Sequence, residues 1–368
     1  MVIDAHAYCF PPLDSAAGFP TASEHLRYVQ LQLARHHQPV WRVSDGAPGD
    51  ESALLDPQNP TVSGLRDANL RRGAGGRLVW TQDGEDYTKQ YLPPMLSDLS
   101  FSPEMLIAEM DYAGIDVAVL HTDLLVGKLN SYLSDCVRRY PNRLLSLAQV
   151  EEWRIPDDPD AAASEVEKCL NELGLCALQF IPPYHYIHGG KGAWDDGPFR
   201  PFWQAVAEMG IPVFFTIGPE GDPPRKTYLE QQAILKRWAQ RYPDVPCVMT
   251  HGLPWRVYLE GDRVALPEEI WDVFTDTRMC LEVLIPIRMG DLWDYPYPQA
   301  RPVIRECVDR IGADRLMWGT DMPMVARFCT YRQSLDYLRR YCDFLSSEQM
   351  DQILWATVAR VLKIPAAR

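Results

Sequence analysis

The chain has 368 residues, 46% of them hydrophobic, and a formal net charge of −14 at pH 7. This composition allows a large buried core and argues against disorder, while the negative charge disfavours nucleic acid and anionic membrane surfaces as partners. The nine cysteines are odd in number and contain no C-x-x-C pair, so we interpret them as reduced thiols and expect a cytoplasmic protein. Asp4 follows the N-terminus too closely for a secretory leader, and no apolar run reaches the roughly 18 residues of a membrane span.

Apolar segments rich in β-branched residues alternate with segments of helical spacing. The candidate strands are residues 2–7, 116–121, 144–150, 176–181, 212–217, 246–250, 279–284 and 316–319. The candidate helices are residues 103–114, 159–174, 200–210, 228–242, 300–312, 331–344 and 346–362. Near-continuous apolar strands between helices indicate a parallel sheet covered by helices. Eight such units predict an α/β protein of one domain, residues 1–368, folded as a (β/α)8 TIM barrel.

Two segments interrupt this alternation of strands and helices. Residues 11–99 contain a possible helix at 23–37, a Pro/Gly-rich stretch at 47–76 and a likely hairpin that turns at Asp83-Gly84. We interpret them as an insertion after the first strand, either a lid over the barrel mouth or a subunit contact. Residues 285–298, rich in aromatics, proline and charge, are expected to form a loop that walls the substrate pocket.

Polar residues stand at the strand ends, where TIM barrels carry their active sites. They are His6, His121, Gln149, Gln179, Thr216, His251, Glu282 and Asp321. Burying an unpaired acid costs several kcal/mol, and His251 and Asp321 each lie in an apolar run that ends at once in Gly or Pro. We therefore predict that these two residues are catalytic together with His6.

The remaining candidates have a structural interpretation beside the functional one. For His121 a structural hydrogen bond is favoured. Glu282 lines the pocket or forms an ion pair with Arg288 or Arg256. His185, on the loop after the fourth strand, is expected to be exposed, with substrate contact as the alternative.

Several segments resemble one known family. IDAHAY at 3–8, VMTHGLPW at 248–255 and MWGTDMP at 317–323 occur in order and at barrel spacing. They are similar to the amidohydrolase superfamily, in particular to the branch of aminocarboxymuconate-semialdehyde decarboxylase and related aromatic acid decarboxylases. The resemblance covers nearly the whole chain outside 11–99. It implies that the protein is a barrel enzyme that acts on a small molecule and forms a homodimer.

The chain departs from this family at two metal ligands. Members hold a divalent metal with an H-x-H motif on the first strand, a histidine ending the fifth and an aspartate on the eighth, while a histidine on the sixth acts in the chemistry. His6, His251 and Asp321 match their positions, but Tyr8 and Thr216 replace the other two ligands. Neutral tyrosine and threonine hydroxyls are poor ligands.

A metal site would therefore be incomplete. His6 and Asp321 could hold Zn or Mn with a substitute ligand such as Glu282 or His185, because catalytic zinc normally needs three protein ligands. In a metal-free site, Asp321 would move protons and His251 would stabilise developing charge. Substrate contacts are expected from Tyr8, Thr216, Glu282, Arg288 and His185.

The predicted function is that of an amidohydrolase-like hydrolase for a small cyclic or aromatic carbonyl or carboxylate compound. Two alternatives stay open: a metal-dependent decarboxylase of an aromatic or unsaturated acid, and a catalytically inactive binding barrel. No glycine-rich nucleotide motif or nucleophile elbow is present in the sequence, so no organic cofactor is expected.

Overall fold

The structure, a computed structural model, describes residues 1–365 and is built around a barrel of eight parallel strands. In chain order these are β1 (Ile3–Ala7), β2 (Val117–Leu120), β3 (Leu144–Ala148), β4 (Ala177–Phe180), β5 (Val213–Phe215), β6 (Cys247–Met249), β7 (Cys280–Val283) and β8 (Leu316–Trp318). Each strand pairs with the next. The ring closes after β8, because the Tyr8 N–H donates to the Met322 carbonyl at 2.7 Å and the Asp321 N–H to the His6 carbonyl at 2.8 Å. The predicted TIM barrel is confirmed, and every strand lies inside its predicted segment.

The barrel interior is a closed apolar layer to which every strand contributes. Its members are Ile3, Ala5, Val119, Leu147, Ala177, Phe214, Val248, Cys280 and Met317. Val358, Ala359 and Val361 of the last helix pack on the same cluster. Side chains fill the interior as in other eight-stranded barrels, so the space for a site is at the carboxyl ends of the strands.

Helices cover the outside of the barrel. The longer ones are Pro103–Ala113, Asn130–Arg139, Pro159–Asn171, Arg200–Met209, Pro224–Arg241, Ala300–Ile311 and Tyr331–Tyr341. Ser102 caps the first of them by accepting from the Met105 N–H, and Gly114 ends it at φ 76°, a backbone conformation that glycine adopts without strain.

Two helix predictions needed correction. The helix Asn130–Arg139 was not predicted, because it begins without a side-chain cap at Leu129 and therefore lacks the usual start signal. The predicted helix at 346–362 is divided into Ser347–Asp351, a π-helical turn at Gln352–Ala356 and Thr357–Val361.

The insertion at 11–99 has its own small structure. It contains the helix Ala22–Arg35 and five short antiparallel strands, in the spatial order Pro48–Gly49, Val40–Arg42, Glu85–Lys89, Leu78–Gln82 and Arg71–Arg72. The predicted hairpin is confirmed: Asp83 and Gly84 form its turn with φ values of 51° and 81°, as two-residue hairpin turns require. The buried Lys89 ammonium donates to the carbonyls of Leu33 and His36, both at 2.7 Å, and so ties helix and sheet together.

The insertion also contacts the barrel mouth. The Arg327 guanidinium, on the segment after β8, donates to the Tyr91 carbonyl at 2.8 Å and to His36 Nε2 at 3.3 Å. His37 Nε2 lies 3.3 Å from the Asp291 carboxylate on the segment after β7.

None of the helices within residues 1–365 is long and apolar enough to cross a membrane. All nine cysteines are free.

Candidate active site

A layer of polar side chains lies directly above the apolar layer. Successive inward positions of a strand are two residues apart, so the next inward residues after the apolar layer can be read from the sequence. They are His121, Gln149, Gln179, Thr216, Thr250 and Glu282. In β1 the pairing register shifts between Asp4 and Ala7, and the irregularity brings His6 into the same layer; bulges commonly re-aim side chains in this way.

His6 and Glu282 form the buried centre of this layer. Nδ1 of His6 lies 2.7 Å from Glu282 Oε2, and both side chains are fully buried. The His121 ring stacks on the His6 ring with 3.5 Å between centroids; its Nε2 lies 2.9 Å from the Ala5 carbonyl and 3.4 Å from Glu282 Oε1. The structural hydrogen bond favoured for His121 is therefore present.

His251 and Asp321 lie beside His6 on strained backbone. Nε2 of His6 is 3.7 Å from Asp321 Oδ1, and Nε2 of His251 is 3.9 Å from the same oxygen. The φ values of His251 and Asp321 are 60° and 65°. Non-glycine residues with positive φ are uncommon and cluster at functional sites. The distances show that the three residues predicted to be catalytic lie together.

Buried hydrogen bonds hold the turn that carries Asp321. The Thr320 hydroxyl and the Tyr331 hydroxyl both donate to Asp4 Oδ2 at 2.6 Å. Thr320 Oγ1 also accepts from the Met322 N–H at 3.0 Å. The role of Tyr331 was not predicted from the sequence, because an isolated tyrosine on an outer helix shows no pattern that indicates a contact with Asp4.

A second chain of hydrogen bonds supports His251. Thr250 Oγ1 lies 3.2 Å from His251 Nδ1 and 2.7 Å from Thr216 Oγ1. The Gln179 amide donates to Thr216 Oγ1 at 3.4 Å. Thr250 was also missed, although its position two residues after the inward-facing Val248 is a usable signal.

Burial shifts the pKa values of the central groups. Desolvation raises the pKa of Asp321 to about 8, although Arg327 and Arg288 act in the opposite direction. Desolvation lowers the pKa of His6 to about 4 and that of His251 well below its ordinary value. For Glu282 desolvation is outweighed by His6 and His121, which hold the pKa of this carboxyl below its usual range.

Arg288 lies on the short helix Ile285–Met289 after β7, where a loop was predicted. Its charge acts on both His251 and Asp321. The side chain is reached by solvent, yet surrounding protein desolvates the guanidinium enough to lower its pKa, as expected for a residue lining a cleft. Among residues 1–365 it has no hydrogen-bond or ion-pair partner.

Two predictions were wrong, one about the ion-pair partner of Glu282 and one about the exposure of His185. Glu282 pairs with His6 and His121 rather than with Arg288 or Arg256, and Arg256 pairs with Asp291. His185 is buried rather than exposed.

His185 belongs to a separate cluster. Its ring packs edge-on against Phe199 with centroids 5.0 Å apart, and its Nε2 lies 3.3 Å from the Lys191 carbonyl. Together with His188 it lines a surface cavity of about 390 Å³. None of its hydrogen bonds or ring contacts within residues 1–365 reaches His6 or His251, so its role as a substrate contact or metal ligand stays a prediction.

The side chains present fit a divalent metal ion. The ligand atoms of His6, His251 and Asp321 lie within 4.8 Å of one another, and so do those of His6, His121 and Glu282. Two imidazoles and one carboxylate are a donor set that first-row transition metals accept. The Nδ1 of His6 is bonded to Glu282, which is the second contact that metal-binding histidines usually make.

Comparison with known proteins assigns the family. The amidohydrolase family model matches residues 3–364, and the chain belongs to this family. It is 30% identical over 88 residues to gamma-resorcylate decarboxylase of Rhizobium radiobacter, covering 24% of this chain and 26% of that protein. It is 24% identical over 230 residues to gamma-resorcylate decarboxylase of Rhizobium sp. (strain MTP-10005), covering 53% and 64%. The chain thus matches less than two thirds of the length of either relative.

Solved structures share the fold. A dihydroxybenzoic acid decarboxylase from Polaromonas sp. JS666, crystallised with manganese and 2-nitroresorcinol, aligns with a TM-score of 0.51 and 19% identity over 74% of this chain and 90% of that one. A protein from Acinetobacter baumannii assigned as a 2-pyrone-4,6-dicarboxylic acid hydrolase aligns with a TM-score of 0.53 and 14% identity over 73% and 91%. At these low sequence identities the structural similarity shows a shared barrel fold and nothing more.

Proposed function

We propose that the protein hydrolyses a small cyclic ester that carries a carboxylate, at the carboxyl end of the barrel. The observation that supports this most directly is the guanidinium of Arg288, which has no partner among residues 1–365 and whose charge acts on both His251 and Asp321. A solvent-accessible guanidinium without a protein partner is available to bind a ligand anion. Guanidinium groups bind carboxylates through two parallel hydrogen bonds.

The position of Arg288 favours hydrolysis over loss of carbon dioxide. In decarboxylation, negative charge leaves the carboxylate as the carbon–carbon bond breaks. A guanidinium paired with that carboxylate stabilises the ground state more than the transition state and therefore slows the reaction. Arg288 is better suited to hold a carboxylate that does not react, while a carbonyl elsewhere on the ring reaches His251 and Asp321.

In the proposed reaction, water adds to the ester carbonyl carbon and the ring carbon–oxygen bond breaks. Asp321 accepts a proton from the attacking water and returns it to the departing oxygen, which balances the hydrolysis. The imidazoles of His6 and His251 lie next to the carboxylate, with Nε2 3.7 and 3.9 Å from Asp321 Oδ1, and flank the position that the ester carbonyl would take. A divalent cation, when bound at these residues, would polarise the carbonyl and acidify the water.

Decarboxylation of an aromatic acid is the second candidate. The observation in its favour is that both curated relatives are described as gamma-resorcylate decarboxylases. Membership of an enzyme family and the joint retention of His6, His251 and Asp321 argue against the third alternative, an inactive binding barrel.

A substrate panel separates the two reactions. Carboxylated lactones, their neutral methyl esters and hydroxybenzoates are incubated with the enzyme, and acid production and carbon dioxide release are both measured. We expect acid production from carboxylated lactones, with kcat/KM for the neutral esters about 10- to 100-fold lower, the range of one charge-assisted contact. Arg288→Met should remove that preference, whereas Arg256→Met, whose native guanidinium is paired with Asp291, should keep it. Carbon dioxide release without ester hydrolysis would support the decarboxylase instead.

A further inference from the structure

His251 stands where the resemblance places a residue that moves protons, yet its surroundings are those of a metal ligand. Its Nε2 and the Nε2 of His6 face the same oxygen of Asp321 at 3.9 and 3.7 Å. Both distances exceed the limit of a hydrogen bond. They are close to the separation of about 3.3–3.5 Å between ligand atoms that share a tetrahedral ion with bonds of about 2.0–2.1 Å.

The hydrogen bonds of His6 direct a nitrogen lone pair to this point. Glu282 accepts from His6 Nδ1 at 2.7 Å and from the His251 backbone N–H at 3.1 Å. With Glu282 Oε2 as the acceptor of the His251 N–H, its contact with His6 Nδ1 is also an accepting one, which places the proton of His6 on Nδ1. The lone pair of His6 is therefore on Nε2, facing Asp321.

His251 has a corresponding arrangement. Its Nδ1 is 3.2 Å from Thr250 Oγ1, and the Thr250 hydroxyl lies 3.2 Å from the Phe215 carbonyl, to which it can only donate. With that proton directed to Phe215, Thr250 accepts from His251 Nδ1 and leaves the Nε2 lone pair facing Asp321. Thr216, at 2.7 Å, donates to Thr250 and completes the support.

We propose that His6 Nε2, His251 Nε2 and the Asp321 carboxylate form a three-ligand site for a divalent first-row metal ion, with His251 as the replacement for the missing ligands. Tyr8 and Thr216 then have other roles. Thr216 holds Thr250 and thereby orients His251. The Tyr8 hydroxyl, 3.0 Å from His6 Nε2, donates to the lone pair that the ion would use and competes with it.

The second group of potential ligands is a poorer site. His6 Nδ1 and Glu282 Oε2 are already joined at 2.7 Å, and His121 Nε2 is bonded to the Ala5 carbonyl at 2.9 Å. An ion between them would have to break both contacts in the barrel interior. Glu282 therefore supports the site from behind His6 and does not serve as the substitute ligand expected from the sequence.

The proposed site should bind less tightly than a closed four-ligand site. Arg288 and Arg327 direct positive charge at Asp321, which opposes a cation there. A catalytic role of the ion rests on the proposed hydrolase function, whereas binding of the ion is measured without turnover. A protein that binds the ion and hydrolyses nothing would contradict only the proposed function.

The test is a titration of the chelator-treated, desalted protein with Zn²⁺, Mn²⁺ and Co²⁺ by calorimetry and, for Co²⁺, by visible absorption. We expect one ion per chain. His251→Gln should weaken binding at least tenfold. The matched variant His121→Gln, which alters the neighbouring stacked imidazole, should stay within about threefold of the wild type. Thr250→Val should weaken binding by about 10- to 100-fold, the usual effect of losing a residue that orients a ligand, and Tyr8→Phe should tighten it.

A second measurement needs no variant. Pulsed electron paramagnetic resonance of the Mn²⁺ protein with ¹⁵N-labelled histidine counts the imidazoles bound to the ion, and we expect two. One imidazole, no stoichiometric ion, or a His251→Gln variant that folds and binds like the wild type would overturn the proposal.

Discussion

Nδ1 of His6 lies 2.7 Å from Oε2 of Glu282, between strands that are 276 residues apart in the chain, and both side chains are fully buried. This contact fixes which edge of the imidazole faces the pocket. The carboxylate also accepts the His251 N–H, so Glu282 positions two of the three central groups.

Glu282→Gln tests this positioning role. The amide keeps the size of the side chain but loses the negative charge that strengthens its hydrogen bonds from His6 and His251, and hydrogen bonds to charged groups contribute about 1.5–3 kcal/mol. We expect a fall in the free energy of unfolding of at least 2 kcal/mol, measured by urea denaturation, and a lower kcat. Unchanged stability would show that the contact contributes little.

Asp321→Asn should abolish turnover of any substrate that the panel identifies. An amide cannot accept the proton of water, and removal of a general base typically lowers the rate by about 10²- to 10⁴-fold. Steady-state kinetics provide the measurement. Asp291→Asn is the control, because Asp291 pairs with Arg256 and His37 at the mouth; wild-type turnover in Asp321→Asn would place the catalytic centre elsewhere.

Gly319→Ala should displace His6. A Cβ at this glycine would lie 2.9 Å from His6 Cβ and 3.1 Å from Leu284 Cδ1, so the imidazole must shift. Misplacement by a fraction of an ångström is enough to slow a reaction that depends on alignment. We expect kcat to fall at least tenfold with the fold retained. Gly218→Ala, where nothing lies within 4 Å, should behave as the wild type.

Glu152 should make stability depend on pH. Burial raises the pKa of Glu152 to about 8 from an ordinary value of 4.5, so the folded protein keeps a proton that the unfolded chain releases. Between these values the folded state binds more protons, and stability therefore falls as pH rises, by on the order of several kcal/mol.

Glu152→Gln should remove the share of this dependence that Glu152 contributes, since the amide does not titrate, while Asp321, whose pKa is also raised, keeps a slope of the same sign. The free energy of unfolding is compared at pH 5 and pH 8 for the wild type, Glu152→Gln and the exposed control Glu167→Gln. A wild-type slope retained in Glu152→Gln would assign the effect to other groups.

The amino-acid sequence is sufficient to predict the barrel. Inside-facing and outside-facing residues of each strand are both apolar, so eight near-continuous runs between helices specify parallel strands with little ambiguity. It also identified His6, His251 and Asp321, because a polar residue at the end of such a run is costly to bury without a purpose.

The contacts of these residues could not be predicted before the fold was known. The partner of Glu282 depends on a register irregularity in β1 that turns His6 inward, and hydrophobic spacing carries no information about it. The support of His251 by Thr216 and Thr250 likewise depends on side chains brought together from distant strands, as does the lack of a partner for Arg288 within residues 1–365. Alternation along a strand is a local property, whereas the ligands and charges of a pocket are set by closure of the barrel.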